Sequence, residues 1–459
     1  MKIGLITLGC DKNTVDSERY LAELVDRGAE FTPALDDAEV IVVNTCGFID
    51  TAKRESIDAL LEAGRRKATG SCRAVVAIGC LIERHKQELE AELPEVDLFL
   101  GASEMHALIP ALEERGMIGE PLVPHPGVRL YAGDLPHVRY LKISEGCDHG
   151  CAFCAIPLMR GKHRSFALEE IVREAQLLEM QGARELNLVA QDLAHYGRDL
   201  RDGPRLPELL EALLSDTDVP WLRLLYLYSA GITPRLLHLM AREQRLLPYL
   251  DMPIQHASDR MLERMRRPER RRTIREKVAR VRAVVPDVAI RTTCIVGFPG
   301  ETEDDFTQLL EFLEEVRFER VGAFAYSPQE GTRAAVLPDD VPDALKLERL
   351  ERLADVQAAI SAERYERHLG RTVTALVDRV VDTGVEARTV WQADDVDGIT
   401  HVAGQAPAGS FVQVVLDEVV DDFDYSASLV RIESCPPPAA RAGRALPVMT
   451  GITSGSYGR

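Results

Sequence analysis

Short apolar runs alternate with amphipathic stretches through the first 120 residues. Four of the runs have the length and composition of buried strands: KIGLITLG, EVIVVNTC, RAVVAIGC and VDLFLG. Between them lie stretches with helical spacing of apolar residues, such as DSERYLAELVDRG and AKRESIDALLEAGRRK. Buried strands that alternate with helices are typical of an open, parallel α/β sheet. We therefore predict an α/β domain over residues 1–120.

The alternation resumes after a segment rich in proline and glycine at 121–136, which we interpret as a linker. From 137 to 370 we expect six strand-and-helix units, with strands in YLKIS, ELNLVAQ, WLRLLYLY, YLDMPIQ, AIRTTCIVG and RVGAFAYS. Six such units can close partway into a β/α barrel, with functional residues at the C-terminal ends of the strands. A doubly wound sheet is the alternative.

Beyond residue 370 the pattern becomes rich in valine. The runs TVTALVDRVV, GVEARTVWQ and SFVQVVLDEVV are separated by glycine and aspartate turns, which predicts a small antiparallel β-barrel over 371–435. The last stretch, 436–459, begins PPPAARAGRALP and ends SGSYGR. This composition predicts a disordered tail.

Composition is that of a globular protein with several domains. The chain has 459 residues, 46% hydrophobic and 28% charged, and no apolar run approaches the roughly 18–20 residues that span a bilayer. Nine cysteines without a convincing signal peptide favour reduced thiolates over a disulfide framework, so we expect a cytoplasmic protein. A net charge of −19 makes the chain a poor general binder of nucleic acid.

Three cysteines follow the apolar runs of the first domain. Cys10, Cys46 and Cys80 each come directly after a predicted strand. Because the C-terminal ends of parallel strands meet at one edge of a sheet, we expect these side chains to converge. A single cysteine in this position is more often a small buried apolar residue, and the repetition at three strands is what predicts a site. Three other cysteines are assigned to neither site: Cys72, Cys294 and Cys435.

A second set of cysteines lies in the sequence GCDHGCAFC. Cys147, Cys151 and Cys154 have the spacing C-x3-C-x2-C and are expected at the end of the first barrel strand and in the loop behind it. Zinc is one alternative, with His149 and His163 as further ligands, although zinc sites usually pair two two-ligand units. Three thiolates on a 4Fe–4S cluster would leave one iron open to bind a substrate or cofactor.

This spacing on a six-unit β/α barrel resembles the radical S-adenosylmethionine (SAM) enzymes. Further segments strengthen the resemblance: NLVAQDLAHYG, DMPIQHASDRMLERMRR and TTCIVGFPGETEDDF. In that superfamily the methionyl group of SAM chelates the open iron, and an electron from the cluster generates a 5′-deoxyadenosyl radical. The resemblance implies that Cys147, Cys151 and Cys154 are the catalytic cluster ligands.

Further contacts with the cofactor are expected from five residues: Phe153, Gln191, Gly297, Gly300 and Glu301. The glycine-rich turn at 297–301 would bring backbone close to the cofactor; the alternative is a plain tight turn with Thr302 as the cap of the next helix. Gln191 and Asp192, after the second strand, contact cofactor or substrate or are solvated loop residues. Phe153, between two ligands, is expected near the cofactor or as a shield of the cluster from water.

The order of the domains resembles the methylthiotransferases, from residue 1 to about 435. The resemblance implies that the small barrel is a TRAM-like substrate-recognition domain and that Cys10, Cys46 and Cys80 hold a second 4Fe–4S cluster, whose open iron carries the sulfur for the product. One SAM would donate a methyl group and a second would supply the radical. We also expect an electron donor, such as flavodoxin or ferredoxin, and a source of sulfur.

The family divides by substrate. A MiaB-like branch methylthiolates an adenosine beside the tRNA anticodon, and a RimO-like branch modifies the β-carbon of one aspartate in the twelfth small-subunit ribosomal protein. The segments at 143–165 and 253–259 resemble the RimO-like branch. The predicted β-barrel carries four arginines against twelve acidic residues, which favours a basic protein over tRNA phosphates. We therefore expect the ribosomal protein, free or in the assembling subunit, as the substrate.

The run RMRRPERRRTIRE at 264–276 contains seven arginines. A solvated helix–turn–helix is one interpretation, and contact with RNA phosphates is the other. The alternative from another functional class is a non-catalytic iron–sulfur or zinc protein that binds RNA through the small barrel.

Overall fold

The computed structural model describes residues 1–119, 129–131, 133, 135–394, 396–421, 423–435 and 449–450. Most of the predicted linker and of the predicted disordered tail therefore lies outside the described residues. In the tail, the backbone of Met449–Thr450 pairs in parallel with Ile6 and Thr7. Within the described ranges, no helix combines the length and hydropathy that crossing a membrane requires.

The N-terminal domain, residues 1–119, is an open parallel sheet with helices on both faces, as predicted. Its elements are β1 (Lys2–Thr7), α1 (Asp11–Asp26), β2 (Glu30–Phe31), β3 (Val40–Thr45), α2 (Asp50–Thr69), β4 (Ala74–Gly79), α3 (Cys80–Glu92), β5 (Leu98–Gly101) and α4 (Leu108–Glu114). The strand order is β1-β3-β4-β5, and β2 pairs with β1. Helices α1 and α4 pack on one face and α2 and α3 on the other. Every residue of β3 and β4 is therefore buried.

The β/α domain, residues 135–370, contains the six predicted parallel strands. Its elements are β6 (Val138–Lys142), β7 (Ser144–Glu145), α5 (Ile156–Arg160), β8 (Arg164–Ser165), α6 (Leu168–Met180), β9 (Glu185–Val189), α7 (Leu206–Asp216), β10 (Trp221–Leu224), α8 (Pro234–Arg242), β11 (Leu246–Asp251), α9 (Asp259–Arg264), α10 (Arg271–Val284), β12 (Ala289–Val296), α11 (Glu303–Val316), β13 (Arg320–Ala325) and α12 (Asp343–Glu366). The sheet order is β6-β9-β10-β11-β12-β13. A doubly wound sheet would reverse its order partway, so the partial barrel is confirmed.

The start of this domain differs from the prediction at Cys147. The first barrel strand ends at Lys142, and a short antiparallel ribbon follows, in which β7 pairs with β8. Cys147 therefore does not end the strand, and the expectation that it does is wrong. The apolar pattern of YLKIS shows burial but not the partner of each backbone segment, so it could not separate the strand from the ribbon. The ribbon closes residues 146–163 into one loop.

The small barrel, residues 371–435, is closed as predicted. Its strands are β14 (Thr372–Val381), β15 (Gly384–Thr389), β16 (Thr400–Ala403), β17 (Phe411–Val420) and β18 (Asp424–Ser434). They close in the order β14-β15-β16-β18-β17. The prediction of a wholly antiparallel barrel is wrong at one pair, since β16 and β18 are parallel. A ring with an odd number of strands cannot alternate direction all the way round.

The small barrel packs against the N-terminal ends of the β/α strands. Val138, Trp221 and Ala289 are the first residues of their strands, and they share one hydrophobic core with the small barrel. Asp397 accepts a hydrogen bond from Tyr249 (2.6 Å) and forms an ion pair with Arg320. The opposite edge, at the C-terminal ends of the strands, therefore remains for the cysteine loop and the N-terminal domain.

Candidate active site

The sheet topology of the N-terminal domain brings together Cys10, Cys46 and Cys80, which we call the sheet site. Cys10 precedes α1, Cys46 follows β3, and Cys80 begins α3 directly after β4. A Cβ atom added at Gly9 would lie 2.8 Å from Cys46 Sγ. Burial raises the pKa of Cys46 to about 12, and the nearby Cys10 and Cys80 raise it further. The three thiols therefore face one another across neighbouring strand ends.

The turn before Cys80 depends on a glycine. Gly79 has φ +105°, a conformation that L side chains rarely adopt, and a Cβ there would lie 2.6 Å from Asn44 Oδ1 and 2.7 Å from Thr45 O. Asn13 in α1 links the neighbouring strand ends, because its Nδ2 donates to Thr45 O (3.2 Å). Ser56 in α2 accepts a hydrogen bond from the backbone N–H that follows Thr45 (2.9 Å).

An arginine from the β/α domain reaches the sheet site. Arg160, the last residue of α5, donates from Nε to Cys80 Sγ (3.1 Å) and from Nη1 to Asp16 Oδ2 (2.7 Å), and its Nη2 donates to Asn13. Burial raises the pKa of Asp16, but the charges of Lys142 and Arg160 outweigh this effect and lower the pKa to about 2. Arg160 therefore places a compensated positive charge beside a cysteine that lies 80 residues earlier in the chain.

The second set, Cys147, Cys151 and Cys154, lies in the loop closed by β7 and β8, and we call it the loop site. Cys154 N donates to Cys151 O (3.2 Å), which forms a tight turn. Between these ligands, Ala152 donates to Met265 O and accepts from Ala334 N, so two distant segments fix the loop. Burial raises the pKa of Cys147 to about 11 and that of Cys154 to about 12, and the neighbouring thiols raise both further.

The spacing of the thiols distinguishes a cluster from a single ion. Thiolates around one zinc ion lie within roughly 4 Å of one another, because each Zn–S bond is about 2.3 Å. Across the described ranges, only His149, Asp192 and His195 bring three ligand atoms within 4.8 Å of one another. Neither cysteine set is that compact. The wider spacing fits a 4Fe–4S cube, in which thiolates bind separate irons.

The two histidines considered as zinc ligands have other partners. His149 Nε2 lies 2.7 Å from Asp192 Oδ2, and its ring stacks on Tyr228 with 4.1 Å between centroids. His163 lies 3.1 Å from Ser165 Oγ. A cavity of about 440 Å³ borders the loop site and is lined in part by His149 and Tyr228. These contacts do not join the histidines to a cysteine.

The glycine-rich turn at 297–301 is braced from inside the protein. Gly297 N donates to Glu301 Oε2 (2.9 Å), and Arg349 donates to Glu301 Oε1 (2.8 Å). Gly297 and Gly300 both have positive φ, +71° and +81°. Thr302 caps α11, as the alternative interpretation expected, because its Oγ1 accepts from the backbone N–H of Asp305. Contact of this turn with a cofactor stays a prediction.

The other predicted cofactor contacts lie close to the loop site. Phe153 is half-buried and packs in a hydrophobic cluster with Phe298 and Tyr326. Gln191 donates to Glu145 Oε1 (2.9 Å). Asp192 is buried, and its Oδ1 accepts from two backbone N–H groups while Oδ2 contacts His149. Asp192 therefore orients the loop, which a solvated residue would not do.

The arginine run at 264–276 divides into two parts. Arg271 and Arg275 form ion pairs with Glu315, as expected of a solvated helix face. Arg267, in contrast, is buried, and its Nη1 lies 3.8 Å from Cys151 Sγ. Its guanidinium also lies 3.9 Å from the centre of the Tyr228 ring. The helix–turn–helix interpretation therefore fails at Arg267, and contact with RNA stays a prediction.

Several residues of the site were not predicted from the sequence: Lys12, Arg160, Tyr226, Tyr228 and Arg267. Tyr226 and Tyr228 follow β10 and link the two cysteine sites. Lys12 Nζ lies 3.3 Å from the centre of the Tyr226 ring, and Tyr228 stacks on His149. No local pattern marks these side chains, because their partners are distant in sequence. The one available signal is their position after a barrel strand, where functional residues gather.

Comparison with known proteins agrees with this architecture. Residues 2–101 match a family described as uncharacterized protein family UPF0004, and residues 141–313 match the radical SAM superfamily. A protein of Anaeromyxobacter sp. (strain Fw109-5), named ribosomal protein uS12 methylthiotransferase RimO, is 45% identical over 433 residues, which cover 92% of each chain. The protein of the same name from Geobacter sulfurreducens is 42% identical over 92% of this chain and 97% of its own length.

A solved structure resembles the chain at the level of the fold. The radical SAM methyltransferase TsrM from Kitasatospora setae, with cobalamin and a [4Fe-4S] cluster bound, superposes with a TM-score of 0.54. It is 13% identical and covers 73% of this chain and 74% of its own, so this likeness concerns the fold alone. The full-length relatives carry the assignment. The chain belongs to the ribosomal protein uS12 methylthiotransferase (RimO) family of radical SAM enzymes.

Proposed function

We propose that this enzyme adds a methylthio group to the β-carbon of an aspartate in ribosomal protein uS12. The observation that carries the proposal is identity of 40–45% over at least 90% of the chain to relatives that bear this name. The acidic small barrel supports it, because a negative surface suits a basic ribosomal protein better than tRNA. We also propose that this barrel is a TRAM-like domain and that the enzyme acts in the cytoplasm.

The loop site would hold one 4Fe–4S cluster with SAM at the open iron, and the sheet site would hold a second cluster. These groups supply a radical that can remove a hydrogen from an unactivated carbon, which no side-chain base does at neutral pH. The chain's own residues shape both sites. Phe153 and its aromatic neighbours exclude water beside the loop site, Arg267 lies near Cys151, and Arg160 donates to Cys80.

The raised pKa values fit metal binding. Burial raises the pKa of Cys46 and Cys154 to about 12, so both would be neutral thiols without metal at pH 7. A bound metal reverses this preference, because a coordinated thiol loses its proton. Loading with iron should therefore release protons. Turnover would further need an electron donor, such as flavodoxin or ferredoxin, and a source of sulfur.

Two other functions would leave different products. A MiaB-like enzyme would modify isopentenylated tRNA, and a non-catalytic metal protein would modify neither substrate. The test is to incubate the anaerobically reconstituted enzyme with uS12 and, separately, with the tRNA. We expect uS12 to gain about 46 Da, since SCH3 replaces H, and deoxyadenosine to accumulate. Product on the tRNA with none on the protein would overturn the proposal.

A further inference from the structure

One buried lysine of this protein lacks a carboxylate partner. Three lysines are buried: Lys12, Lys142 and Lys346. Lys142 pairs with Asp16 and Glu145, and Lys346 pairs with Asp339 and Asp343. Lys12 is only 6% exposed, yet within the described part of the chain its contact is the face of Tyr226, with Nζ 3.3 Å from the ring centre.

This contact leaves the ammonium incompletely compensated. A cation over an aromatic face gains roughly 0.5–2 kcal/mol, which is less than the desolvation cost of a buried charge. Buried charges are therefore normally paired with an opposite charge. A free cation in a closed site has the properties of a binding group for an anion.

The residue beneath Lys12 is held in an unfavourable conformation. Tyr226 has φ +62°, which is rare for a bulky residue. Two carboxylates fix it: its N–H donates to Asp251 Oδ2 (3.1 Å), and its hydroxyl donates to Asp11 Oδ2 (3.3 Å). Such strain persists only where the surroundings enforce it, and it concentrates at functional sites. Here it presents the ring to Lys12.

Lys12 lies where the two cysteine sites meet. It is two residues from Cys10 of the sheet site. Its partner Tyr226 is two residues from Tyr228, which stacks on His149 in the loop site. An anion on Lys12 would therefore be next to one cluster ligand and one barrel turn away from the other set. The substrate's reacting carbon has to occupy this region.

We propose that Lys12 binds the carboxylate of the substrate aspartate and that Tyr226 is a positioning residue for its ammonium. The inference rests on the proposed function and adds the group that selects an acidic side chain. The β-carbon of aspartate is bonded directly to its carboxylate, so a cation that fixes the carboxylate also fixes the carbon that loses hydrogen. The adenine ring of the alternative tRNA substrate has no carboxylate. Asp11 and Asp251 would repel the substrate if Lys12 lost its charge.

The test measures binding by the reconstituted full-length enzyme in the presence of SAM. Its ligands are fluorescently labelled uS12 and a uS12 variant with asparagine at the modified aspartate. We expect the wild type to prefer the aspartate form by about 30-fold or more, the usual cost of removing one partner of a buried charge pair. Lys12→Met should lose this preference by binding the aspartate form more weakly, and Lys12→Arg should keep most of it.

Tyr226 supplies a matched pair of variants. Tyr226→Phe keeps the ring and should keep the preference, whereas Tyr226→Leu should reduce it by about 2-fold to 30-fold. Iron content is measured for every variant, so that loss of a cluster is recognised. Lys12→Met that binds both forms of uS12 equally weakly has a structural defect, and this result overturns the inference.

The proposed function and this inference can fail separately. If the wild type places no methylthio group on uS12, the proposed function fails. If the wild type modifies uS12 but Lys12→Met still prefers the aspartate form as strongly, only the role of Lys12 is wrong. Equal loss of binding to isopentenylated tRNA in Lys12→Met would identify a general anion contact and would also overturn the inference.

Discussion

The sheet site and the loop site are built in opposite ways. The ligands of the loop site lie within eight residues, and a two-stranded ribbon closes their loop. The ligands of the sheet site lie more than thirty residues apart and meet only because β1, β3 and β4 are neighbours in a parallel sheet. The loop site is therefore a local structure, whereas the sheet site requires the whole N-terminal domain to fold. Changes to each region should separate the two sites.

The largest expected effect is the loss of the loop site. Replacing Cys147, Cys151 and Cys154 by Ala should abolish formation of deoxyadenosine and reduce iron from about eight to about four per chain. The remaining iron belongs to the sheet site, whose fold does not depend on the loop. Iron analysis and chromatography of deoxyadenosine measure both quantities. A variant with no iron at all would show that the two sites are not independent.

The next effect is specific to the sheet site. Gly79→Ala should lose that cluster and keep about four irons, because the new Cβ would lie 2.7 Å from Thr45 O. Gly28→Ala is the matched control: Gly28 also has positive φ (+79°), but a Cβ there meets nothing within 4 Å. The control should cost only about 1 kcal/mol of stability and keep about eight irons. Equal iron in both variants would contradict the dependence on this turn.

A smaller effect concerns the charges that join the sheet site to the β/α domain. The pKa of Asp16 is lowered to about 2, so its carboxylate stabilises the fold above the unfolded pKa of about 3.9. This contribution, about 2 kcal/mol, should disappear as the pH falls from about 4 through 2. Asp16→Asn should therefore be less stable than wild type at pH 7.

Urea unfolding of the metal-free chain at pH 7 and pH 2 measures this contribution. Asp58→Asn is the control, since Asp58 is exposed on α2 of the same domain. The difference between Asp16→Asn and wild type should shrink at the lower pH, and Asp58→Asn should resemble wild type at both. A difference that stays constant between the two pH values would show that the ion pairs of Asp16 do not stabilise the fold.

The smallest effect is on the electronic properties of the sheet site. Arg160 donates to Cys80 Sγ at 3.1 Å, and hydrogen bonds to the sulfurs help to set the potential of a cluster. Arg160→Met in the chain that lacks the loop cysteines should keep about four irons and lower the reduction potential of the remaining cluster. Redox titration followed by electron paramagnetic resonance measures this shift. An unchanged potential would show that this contact only joins the domains.

Most of the fold was predictable because its strands are buried on both faces. Runs such as RAVVAIGC are continuous and apolar for this reason, and the three cysteines of the sheet site follow from counting strand ends. The ribbon before Cys147 and the parallel pair of β16 and β18 were missed, because an apolar pattern does not specify the pairing partner. Arg160 and Tyr226 were also missed, since each acquires its role from partners in another domain.

The division of labour between the two sites is the central claim, and one variant tests it most directly. Cys10, Cys46 and Cys80 are replaced together by Ala, and the reconstituted protein is incubated with SAM, a reductant and uS12. The measurement is deoxyadenosine by chromatography together with the mass of uS12. The account predicts that deoxyadenosine still forms while uS12 gains no methylthio group. Methylthiolated uS12 from this variant would contradict the role of the sheet site as the carrier of sulfur.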